Sequence, residues 1–532
     1  MRLLCVHADE FGFEARNPEP DIDTTNGETE GNLESAVVVF VAVEAGDSRR
    51  TETTTRETAR RIGDVTAQLN TDRIGVVPCR QLTDSPAGGE QVGAVLDRLT
   101  AHLDQFTVVR VPLGWDIAFD IQTKAHPHAV QQYRIVPTAD AADREWQCYS
   151  DGTFGGVEPD SVDPETATVL DWERGGTTPD DPEYATTGTE FGLFDVGDDG
   201  SAFLRPRGVL ARDLLEAHVS DSIAEYGAVP VERLGTGDRS VFHHYSCSTA
   251  DLPVRLFETT SDHRELVDGD GLLPASTVPA LSALVADLPG AFAEACEQAA
   301  LVHRLLTSLH LSYEPVLRVR GDCLETHGEQ VTALAAMFGR PVLVERRPTA
   351  DWLVTLDFHT LADGQPITTP TVVIDDSGVE GLTLDATDPI VVRSLPAGAI
   401  ERTLGAVLAA SDQPQLPVWL APVQFRLVPI ELTDHLAYCE ELAEQFETAA
   451  IRVDIDDRDI PVRDRLAAAG AEGVPYYTVI GADELDSDRL GVIDRNAGSE
   501  QDRTPAELQA MLTGESRERG IATRLPRYVS HY

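Results

Sequence analysis

The amino-acid sequence predicts a multidomain α/β protein, and three observations lead to that fold class. The chain has 532 residues, which is long enough for three or four domains that each bury a core. Short runs of apolar and β-branched residues, typical of strands, alternate with stretches of helical periodicity. Stretches rich in Gly, Pro and Asp interrupt this alternation and mark the boundaries between the predicted domains.

Residues 1–140 are predicted to form the first α/β domain. Residues 2–7 (RLLCVH) and 36–43 (AVVVFVAV) have the apolar runs of strands. The predicted helices are residues 55–69 and 93–103. Residues 108–137 are interpreted as a strand, a Pro-Leu-Gly-Trp turn and a second strand, followed by a Lys-Ala-His-Pro corner. Together these elements make a unit of ordinary domain size.

Four further segments complete the predicted organisation. Residues 141–189 are rich in Gly, Pro, Thr and Asp, so they are predicted to be a linker or an irregular segment. Residues 190–412 form the middle domain, with an amphipathic helix at 208–226. Residues 413–515 alternate strands and helices, which predicts an α/β sandwich with a mostly parallel or mixed sheet. Residues 516–532 form a C-terminal tail.

Acidic residues are dispersed along the chain, with 90 Asp and Glu against 42 Lys and Arg and a net charge of −48. Lys124 is the one lysine. This pattern suggests adaptation to a high-salt cytoplasm, because the Debye length falls to roughly 3 Å at molar salt and self-repulsion is then tolerable. The same screening means that the charge does not exclude an RNA partner, which local arginines, hydrogen bonds and stacking would have to bind.

The seven cysteines are scattered and form no Cys-x-x-Cys motif. We interpret them as reduced thiols of a cytoplasmic protein. The first stretch, MRLLCVHADE, turns acidic too soon for a signal peptide, and no apolar run approaches the ~20 residues of a transmembrane helix. The sequence therefore predicts no membrane partner.

Titratable side chains collect at two places in the first domain, and both are candidates for chemistry. Lys124 and His126 lie in the Lys-Ala-His-Pro corner, while His7 and Asp9 lie at the end of the first strand, at the expected mouth of a pocket. A lysine there can act as a catalytic or phosphate-binding cation. The alternative is a structural lysine satisfied by backbone carbonyls beside a histidine that only packs. His7 and Asp9 are equally open to both roles.

The start of the third domain, LPVWLAPVQFRLVPI (416–430), closely resembles the start of the anticodon-binding domain of threonyl-tRNA synthetases. The resemblance continues through RVDIDDRD (452–459) and VPYYTVIG (474–481). It implies a tRNA(Thr) partner, and the implied tRNA-binding residues are Arg426, Glu484 and Arg495. Arginine suits this task because it stacks on bases and hydrogen-bonds their edges. The alternative for any one arginine is a solvated surface residue.

The first domain resembles the editing domain of archaeal threonyl-tRNA synthetases, whose fold is like that of D-aminoacyl-tRNA deacylases. The matching stretches are MRLLCVHAD, NPEP, VVVFVAVE, PLGW and KAHP. That family hydrolyses serine mischarged on threonine tRNA, since binding alone rejects a near-isostere only weakly. The resemblance thus implies an aminoacyl-tRNA deacylase pocket.

The middle domain resembles the class II catalytic domain of the same enzymes. The matching stretches are RPRGVLARDLLEAHVSDSIAEYGAVPVE (205–232), DLPVRLFE (251–258) and GAIERTLGAVL (398–408). The resemblance implies an antiparallel sheet and a surface through which two copies could form a homodimer. The implied remnants of the ATP site are Arg264, Glu265 and Arg402.

Several positions of the middle domain depart from the class II pattern. The family holds threonine on zinc through one Cys and two His, and a catalytic zinc needs three protein ligands. The corresponding stretches here are FHHYSCSTA (242–250), Val285-Ala286-Asp287 and 391–393. His243, His244 and Cys247 lie close together but lack a third, remote ligand. Without that third ligand, we expect no metal. Because Arg402 alone cannot supply the cations of an adenylate site, we also expect no ATP cofactor and no charging of tRNA.

Three positions of the first domain also depart from its family. The resemblance places a lysine, a histidine and a glutamate of the editing pocket where this chain has Ile117, Gln81 and Val130. The groups that remain are His7, Asp9, Lys124, His126 and the backbone of residues 41–44 and 79–82. The resemblance implies that the 2′-hydroxyl of the tRNA itself performs much of the chemistry. Loss of these three side chains would therefore weaken deacylation without ending it.

Two functions follow from these expectations. The first is a tRNA(Thr)-binding protein that hydrolyses Ser-tRNA(Thr) in trans, while a separate, complete synthetase charges the tRNA. The second is a non-catalytic tRNA-binding protein or an accessory subunit of that synthetase. An active threonine–tRNA ligase is a third alternative, against which the departures in the middle domain argue.

Overall fold

In a computed structural model of the chain, the structure describes residues 1–18, 29–43, 51–69, 71–83, 87, 89–126, 129–135, 145–174, 184–196, 202–232, 242, 251–260, 277–321, 323–347, 350, 352–362, 365–377, 379, 382, 389–410, 415–487, 489–515 and 525–531. Two compact units divide the chain, one of residues 1–144 and 234–240 and one of residues 145–233 and 241–532. Within the described ranges, every helix is too short or too polar to cross a bilayer.

The first unit contains β1 (Arg2–Pro18), β2 (Glu30–Ala42), α1 (Thr51–Leu69), β3 (Arg73–Pro78), α2 (Gly89–Ala101), β4 (Thr107–Arg110), β5 (Trp115–Thr123) and β6 (Val130–Arg134). Its sheet has the order β4-β3-β2-β1-β5, and β6 also pairs with β1. β2, β3 and β4 are parallel to one another, whereas β1 is antiparallel to its neighbours β2, β5 and β6.

Alternation of side chains gives this sheet two apolar faces. Leu3 of β1 belongs to the core that α1 and α2 cover, whereas Val6 and Ala8 belong to a second apolar cluster. β1 runs farther than the strand predicted at residues 2–7, because its pairing shifts between Ala8 and Glu10 and then continues along β5. The end of the predicted strand is therefore the middle of the observed one.

The second unit begins with β7 (Glu145–Ser150), β8 (Thr153–Gly156), α3 (Pro164–Glu173), α4 (Tyr184–Glu190), β9 (Phe194–Val196), β10 (Ala202–Leu204), α5 (Pro206–Glu225), β11 (Val229–Pro230), β12 (Val254–Thr260), β13 (Val278–Val285), α6 (Leu288–Ser308), β14 (Glu314–Arg320), α7 (Cys323–Ala336), β15 (Val342–Arg347), β16 (Val354–Ala362), β17 (Gln365–Asp375), β18 (Ile390–Leu395) and α8 (Ile400–Ala409). It continues with β19 (Phe425–Pro429), α9 (Leu432–Thr448), β20 (Val453–Ile455), α10 (Val462–Ala471), β21 (Tyr476–Ile480), α11 (Ala482–Asp486), β22 (Leu490–Asp494), β23 (Ser499–Arg503) and α12 (Pro505–Glu515).

A large mixed sheet forms the middle domain, in the order β11-β12-β13-β18-β17-β16-β14-β15-β7-β8. β11 pairs with β12, and β14 with β15, in parallel; the other neighbours pair antiparallel. Helix α5 matches the amphipathic helix predicted at 208–226, and its inward face is buried at Leu210, Leu214, His218 and Ile223. The two leucines and Ile223 share one core with α6 and α8.

The described residues 145–174 differ from the linker or irregular segment that composition predicts for 141–189. β7 extends the large sheet by pairing with β15, and α3 buries Val169 and Leu170. Thr166 of α3 donates a hydrogen bond to Glu314 at 2.7 Å, and Glu173 is ion-paired with Arg318. These contacts join residues more than a hundred positions apart, so local composition carried no sign of them.

The last domain is built on a sheet in the order β20-β19-β21-β22-β23. β19 lies parallel to β20 and β21, and β22 and β23 add antiparallel strands. Residues 525–531, within the predicted tail, return to this domain: Tyr528 bridges to Ile455, and Arg527 donates to Glu447 at 3.0 Å. This architecture is the multidomain α/β fold that the sequence predicts.

Candidate functional site

The Lys-Ala-His-Pro corner folds back onto β1 and brings two predicted histidines together. The backbone N–H of Lys124 donates to the carbonyl of His7 at 2.9 Å, and the N–H of His7 donates to the carbonyl of Ala129 at 2.7 Å. Nδ1 of His7 then lies 2.9 Å from Nε2 of His126. Backbone pairing of the corner with β1 therefore creates the imidazole pair.

Lys124 is held by side chains of the same unit. Its Nζ donates to Oγ of Ser35 at 2.8 Å and lies 3.7 Å from Oδ1 of Asp9. The side chain of Asp9 is 64% exposed, and that of Lys124 is 24% exposed. All four predicted editing residues thus take part in side-chain contacts with one another. The partners of the Lys124 side chain are a hydroxyl and a carboxylate rather than the backbone carbonyls of the structural alternative.

His7 is the buried member of this group, with 6% of its surface exposed. Burial lowers the pKa of His7, the nearby Lys124 and His126 lower it further, and Asp9 opposes them. Nε2 of His7 is buried and has no hydrogen-bond partner among the described residues. The arrangement therefore presents a neutral imidazole at pH 7, which can accept a proton.

Where charges were expected from the resemblance, the structure has three side chains without charge. Ile117 is half-buried beside the second apolar cluster of the sheet, Val130 is 57% exposed, and the exposed Gln81 lies 3.6 Å from Sγ of Cys79. Ile117 pairs with Ala15 on β1. It is six positions along β5 from Thr123, or on the order of 20 Å, so Lys124 cannot replace a charge at Ile117.

The class II resemblance implies zinc and ATP, and the residues in the corresponding stretches have other roles in this fold. Asp287 is the N-cap of α6 and accepts a hydrogen bond from the N–H of Gly290 at 2.8 Å. Val391 is 1% exposed and packs in an apolar cluster. Arg402 lies half-buried in the first turn of α8. Asp287 serves as a helix cap and Val391 has no donor atom, so neither fits a zinc ligand. Of the implied ATP-site remnants, Arg402 is the one that lies within the described residues.

Five further residues of these stretches fall outside the described residues, and the histidines and the cysteine among them are not predicted to bind metal. They are Arg264, Glu265, His243, His244 and Cys247. In the part of the chain that the structure does describe, there is no group of three or more His, Cys, Asp or Glu placed to hold a metal ion.

Arg426 occupies a different place from the one predicted for a tRNA-binding residue. It is fully buried, donates to both carboxylate oxygens of Asp454 at 2.8 and 2.7 Å, and lies 2.8 Å from Glu472. Burial alone would lower the pKa of Arg426, but the two carboxylates outweigh it and raise the pKa above its ordinary value. A buried arginine with these partners cannot reach a base, because β19 directs it to the interior.

Glu484 and Arg495 remain close to the surface of the same domain. Glu484 accepts a hydrogen bond from the N–H of Gly481 at 2.9 Å, which caps α11. Arg495 is half-buried, and its Nε donates to the carbonyl of Gly470 at 2.8 Å. Burial lowers the pKa of Arg495, and Tyr477 opposes this. Both side chains keep partial exposure, so the structure leaves the predicted RNA contact open to them.

Sequence reasoning missed the residues of the middle domain that contact this region. Arg207 of α5 lies 2.8 Å from Glu472, and the ring of Phe191 lies under the guanidinium of Arg495. We call Arg207, Arg426, Asp454 and Glu472 the arginine junction. Nothing in the local sequence around Arg207 or Phe191 indicates a partner 265 or more positions away; the contacts depend on how the two domains pack.

Two parts of the chain match known protein families. Residues 1–135 match the archaea-specific editing domain of threonyl-tRNA synthetase, and residues 419–515 match the anticodon binding domain. The fold and these domains together define a protein of the aminoacyl-tRNA synthetase class. The predictions of an archaeal-type editing domain and of an anticodon-binding domain are confirmed.

Similarity along the whole chain identifies a particular family within this class. The threonine–tRNA ligase of Methanoculleus marisnigri is 30% identical over 568 residues, covering 93% of this chain and 92% of that protein. The threonine–tRNA ligase of Methanopyrus kandleri is 30% identical, with 99% of this chain and 98% of that protein covered. This chain therefore belongs to the threonine–tRNA ligase family.

A solved structure shares part of the fold. The crystal structure of the RNA binding domain of threonyl-tRNA synthetase from Cryptosporidium parvum Iowa II has a TM-score of 0.53 at 14% sequence identity. The match covers 63% of this chain and 99% of that one. At such low identity the likeness shows a common fold alone.

Proposed function

We propose that this chain binds tRNA(Thr) through its anticodon-binding domain and hydrolyses Ser-tRNA(Thr) in trans through its editing domain, without charging tRNA itself. The observation that carries the proposal is the contrast between the editing-domain match over residues 1–135 and the positions of Asp287 and Val391, which cap a helix and pack in an apolar cluster. A separate, complete threonyl-tRNA synthetase would perform the charging. Neither zinc nor ATP has a part in this activity.

The histidine pair is the chemical support for deacylation. In the reaction, water adds to the carbonyl carbon of the seryl ester, the bond to the ribose oxygen breaks, and that oxygen leaves with a proton. A neutral imidazole can accept the proton of the water and return it to the leaving oxygen. His7, whose pKa is lowered, has that form at pH 7, and His126 can pass the proton on through the 2.9 Å contact.

A second candidate function is a non-catalytic tRNA-binding protein or accessory subunit of the charging enzyme. Lys124 favours it, because Ser35 and Asp9 already engage its ammonium group. Ile117 and Val130 favour it too, since neither can stabilise charge on a reacting ester. In that case the editing domain would bind the 3′ end of the tRNA without cutting the ester.

Hydrolysis of Ser-tRNA(Thr) and Thr-tRNA(Thr) in molar KCl separates the two candidates. We expect wild type to hydrolyse the seryl ester above the buffer rate, His7→Ala to lose most of that rate, and Lys124→Ala to keep most of it. His102→Ala, which changes a half-buried histidine after α2, is the matched control and should behave as wild type. Hydrolysis by wild type at the buffer rate would end the deacylase proposal and leave the binding function.

A charging assay tests the other half of the proposal. With threonine, ATP, zinc and tRNA(Thr) in molar KCl, we expect no Thr-tRNA(Thr) above background. Formation of Thr-tRNA(Thr) by the purified chain would overturn the claim that it does not charge tRNA.

A further inference from the structure

Phe191 of the middle domain lies against Arg495 of the anticodon-binding domain, within the second compact unit. Phe191 follows α4, where its N–H donates to the carbonyl of Thr187 at 2.9 Å, and it is 4% exposed. The centroid of its ring is 5.7 Å from Cζ of Arg495. This distance is within the ~6 Å range of cation–π contacts, so the ring fixes the plane of the guanidinium from the side of the middle domain.

A second contact fixes Arg495 from the side of its own domain. Nε of Arg495 donates to the carbonyl of Gly470 at 2.8 Å, at the C-terminal end of α10. An arginine that hydrogen-bonds a base edge must present its planar fork at a defined angle. Two contacts of different kinds, one to a ring and one to a carbonyl, define that angle.

The middle domain also holds the chain segment to which Arg495 is bonded. Gly473 has a φ of +71°, and a Cβ there would come within 2.4 Å of the ring of Phe191. One residue earlier, Glu472 lies 2.8 Å from Arg207 of α5. Arg207 therefore contacts residue 472 and Phe191 packs against residue 473. These positions are two and three residues after Gly470, whose carbonyl accepts the hydrogen bond from Arg495.

We propose that Phe191 is a positioning residue for Arg495, so that the middle domain determines how well the anticodon-binding domain distinguishes anticodon bases. This inference rests on the proposed tRNA binding and adds a role that catalysis does not require. It also gives a physical reason for a chain without charging activity to keep its middle domain: without Phe191, Arg495 loses the surface that orients it.

Binding of two RNAs tests the proposal, tRNA(Thr) and the same transcript with a substituted anticodon, both in molar KCl. Phe191→Leu keeps apolar bulk against Gly473 but removes the ring. We expect it to weaken binding of tRNA(Thr) by about two- to fivefold and to leave binding of the substituted transcript unchanged. In the background of Arg495→Gln, the same Phe191→Leu change should have no further effect, because the residue that it positions is absent.

Phe194→Leu is the matched control, since Phe194 is fully buried in the same part of the middle domain and packs against Gly188. We expect it to lower the melting temperature without changing the ratio of the two affinities. An unchanged ratio in Phe191→Leu, an equal change in Phe194→Leu, or additive effects of Phe191→Leu and Arg495→Gln would each overturn the positioning role. Wild type that binds both RNAs equally or neither would instead overturn the proposed tRNA function, and this inference with it.

Discussion

The editing domain and the anticodon-binding domain both gather charged side chains, but they bury them to different degrees. In the editing domain, Asp9 and Lys124 are 64% and 24% exposed, and their contact of 3.7 Å is open to water. In the arginine junction, Arg426 and Asp454 are 0% and 1% exposed. Partly exposed charged groups can still contact a substrate, whereas buried ion pairs contribute to the stability of the fold. A resemblance between sequences does not distinguish the two situations.

Removing the buried arginine should have the largest effect. We expect Arg426→Ala to lower the free energy of unfolding by about 3–5 kcal/mol, because the buried Asp454 would lose both hydrogen bonds from its guanidinium partner, although Arg207 would still face the two carboxylates. Urea unfolding in molar KCl measures this. Arg463→Ala, at a side chain 87% exposed and paired with Asp464, should change the free energy by less than about 1 kcal/mol. Similar losses for the two variants would contradict the distinction between sealed and exposed charges.

The fit of the two domains at Gly473 predicts the next largest effect. Gly473→Ala should destabilise by about 2–4 kcal/mol, because the left-handed backbone disfavours a side chain and the new Cβ meets Phe191. Gly498 also has a positive φ, of +59°, but nothing lies within 4 Å of a Cβ there. Gly498→Ala should therefore cost only about 1–2 kcal/mol, and unfolding curves of both variants isolate the packing part. Equal losses would show that Phe191 is not pressed against residue 473.

The coupling free energies of the two ion pairs should also differ in their dependence on salt. A double-mutant cycle on Lys124 and Asp9 should give a coupling free energy below about 1 kcal/mol, which falls between about 0.3 M and about 3 M KCl because exposed charges are screened. The cycle on Arg426 and Asp454 should give a larger coupling that salt leaves nearly unchanged. A salt-independent coupling at Lys124 would mean that this pair is also sealed.

The smallest expected effect is a pH dependence from His7. Its pKa in the folded chain is lowered from the ordinary value of 6.5, so the unfolded chain binds the proton first as the pH falls. The stability that His7 contributes is complete above pH 6.5 and is lost as the pH falls below it. We expect urea midpoints between about pH 7 and pH 5 to fall more for wild type than for His7→Gln. The same substitution at His102 is the control, and identical pH profiles for wild type and His7→Gln would contradict the lowered pKa.

Local patterns predicted the elements that depend on neighbours along the chain. Helix α5 appears where apolar residues recur at helical spacing, and the strand at 36–43 lies within β2 apart from its last residue. Composition gave the wrong prediction for residues 145–174, which contain β7 and α3 within the segment predicted to be a linker. Their stability comes from β15, Glu314 and Arg318, which lie far along the chain.

The candidate sites divide in the same way. Motifs brought His7, Asp9, Lys124 and His126 to attention, and a resemblance pointed to Arg495. No pattern could show that Arg426 is buried or that Phe191 covers Arg495, because each fact depends on a partner from another part of the fold.

By itself, the sequence determined the α/β class, the threonyl-tRNA synthetase resemblance and the departures at Ile117, Gln81 and Val130, since these depend on residue identity, order and spacing. Only the tertiary structure decided which charges are exposed and which are sealed. The physical reason is desolvation: the chemistry of an arginine or a histidine is set by the water and the partners around it, and these come from residues that the chain brings together only when it folds.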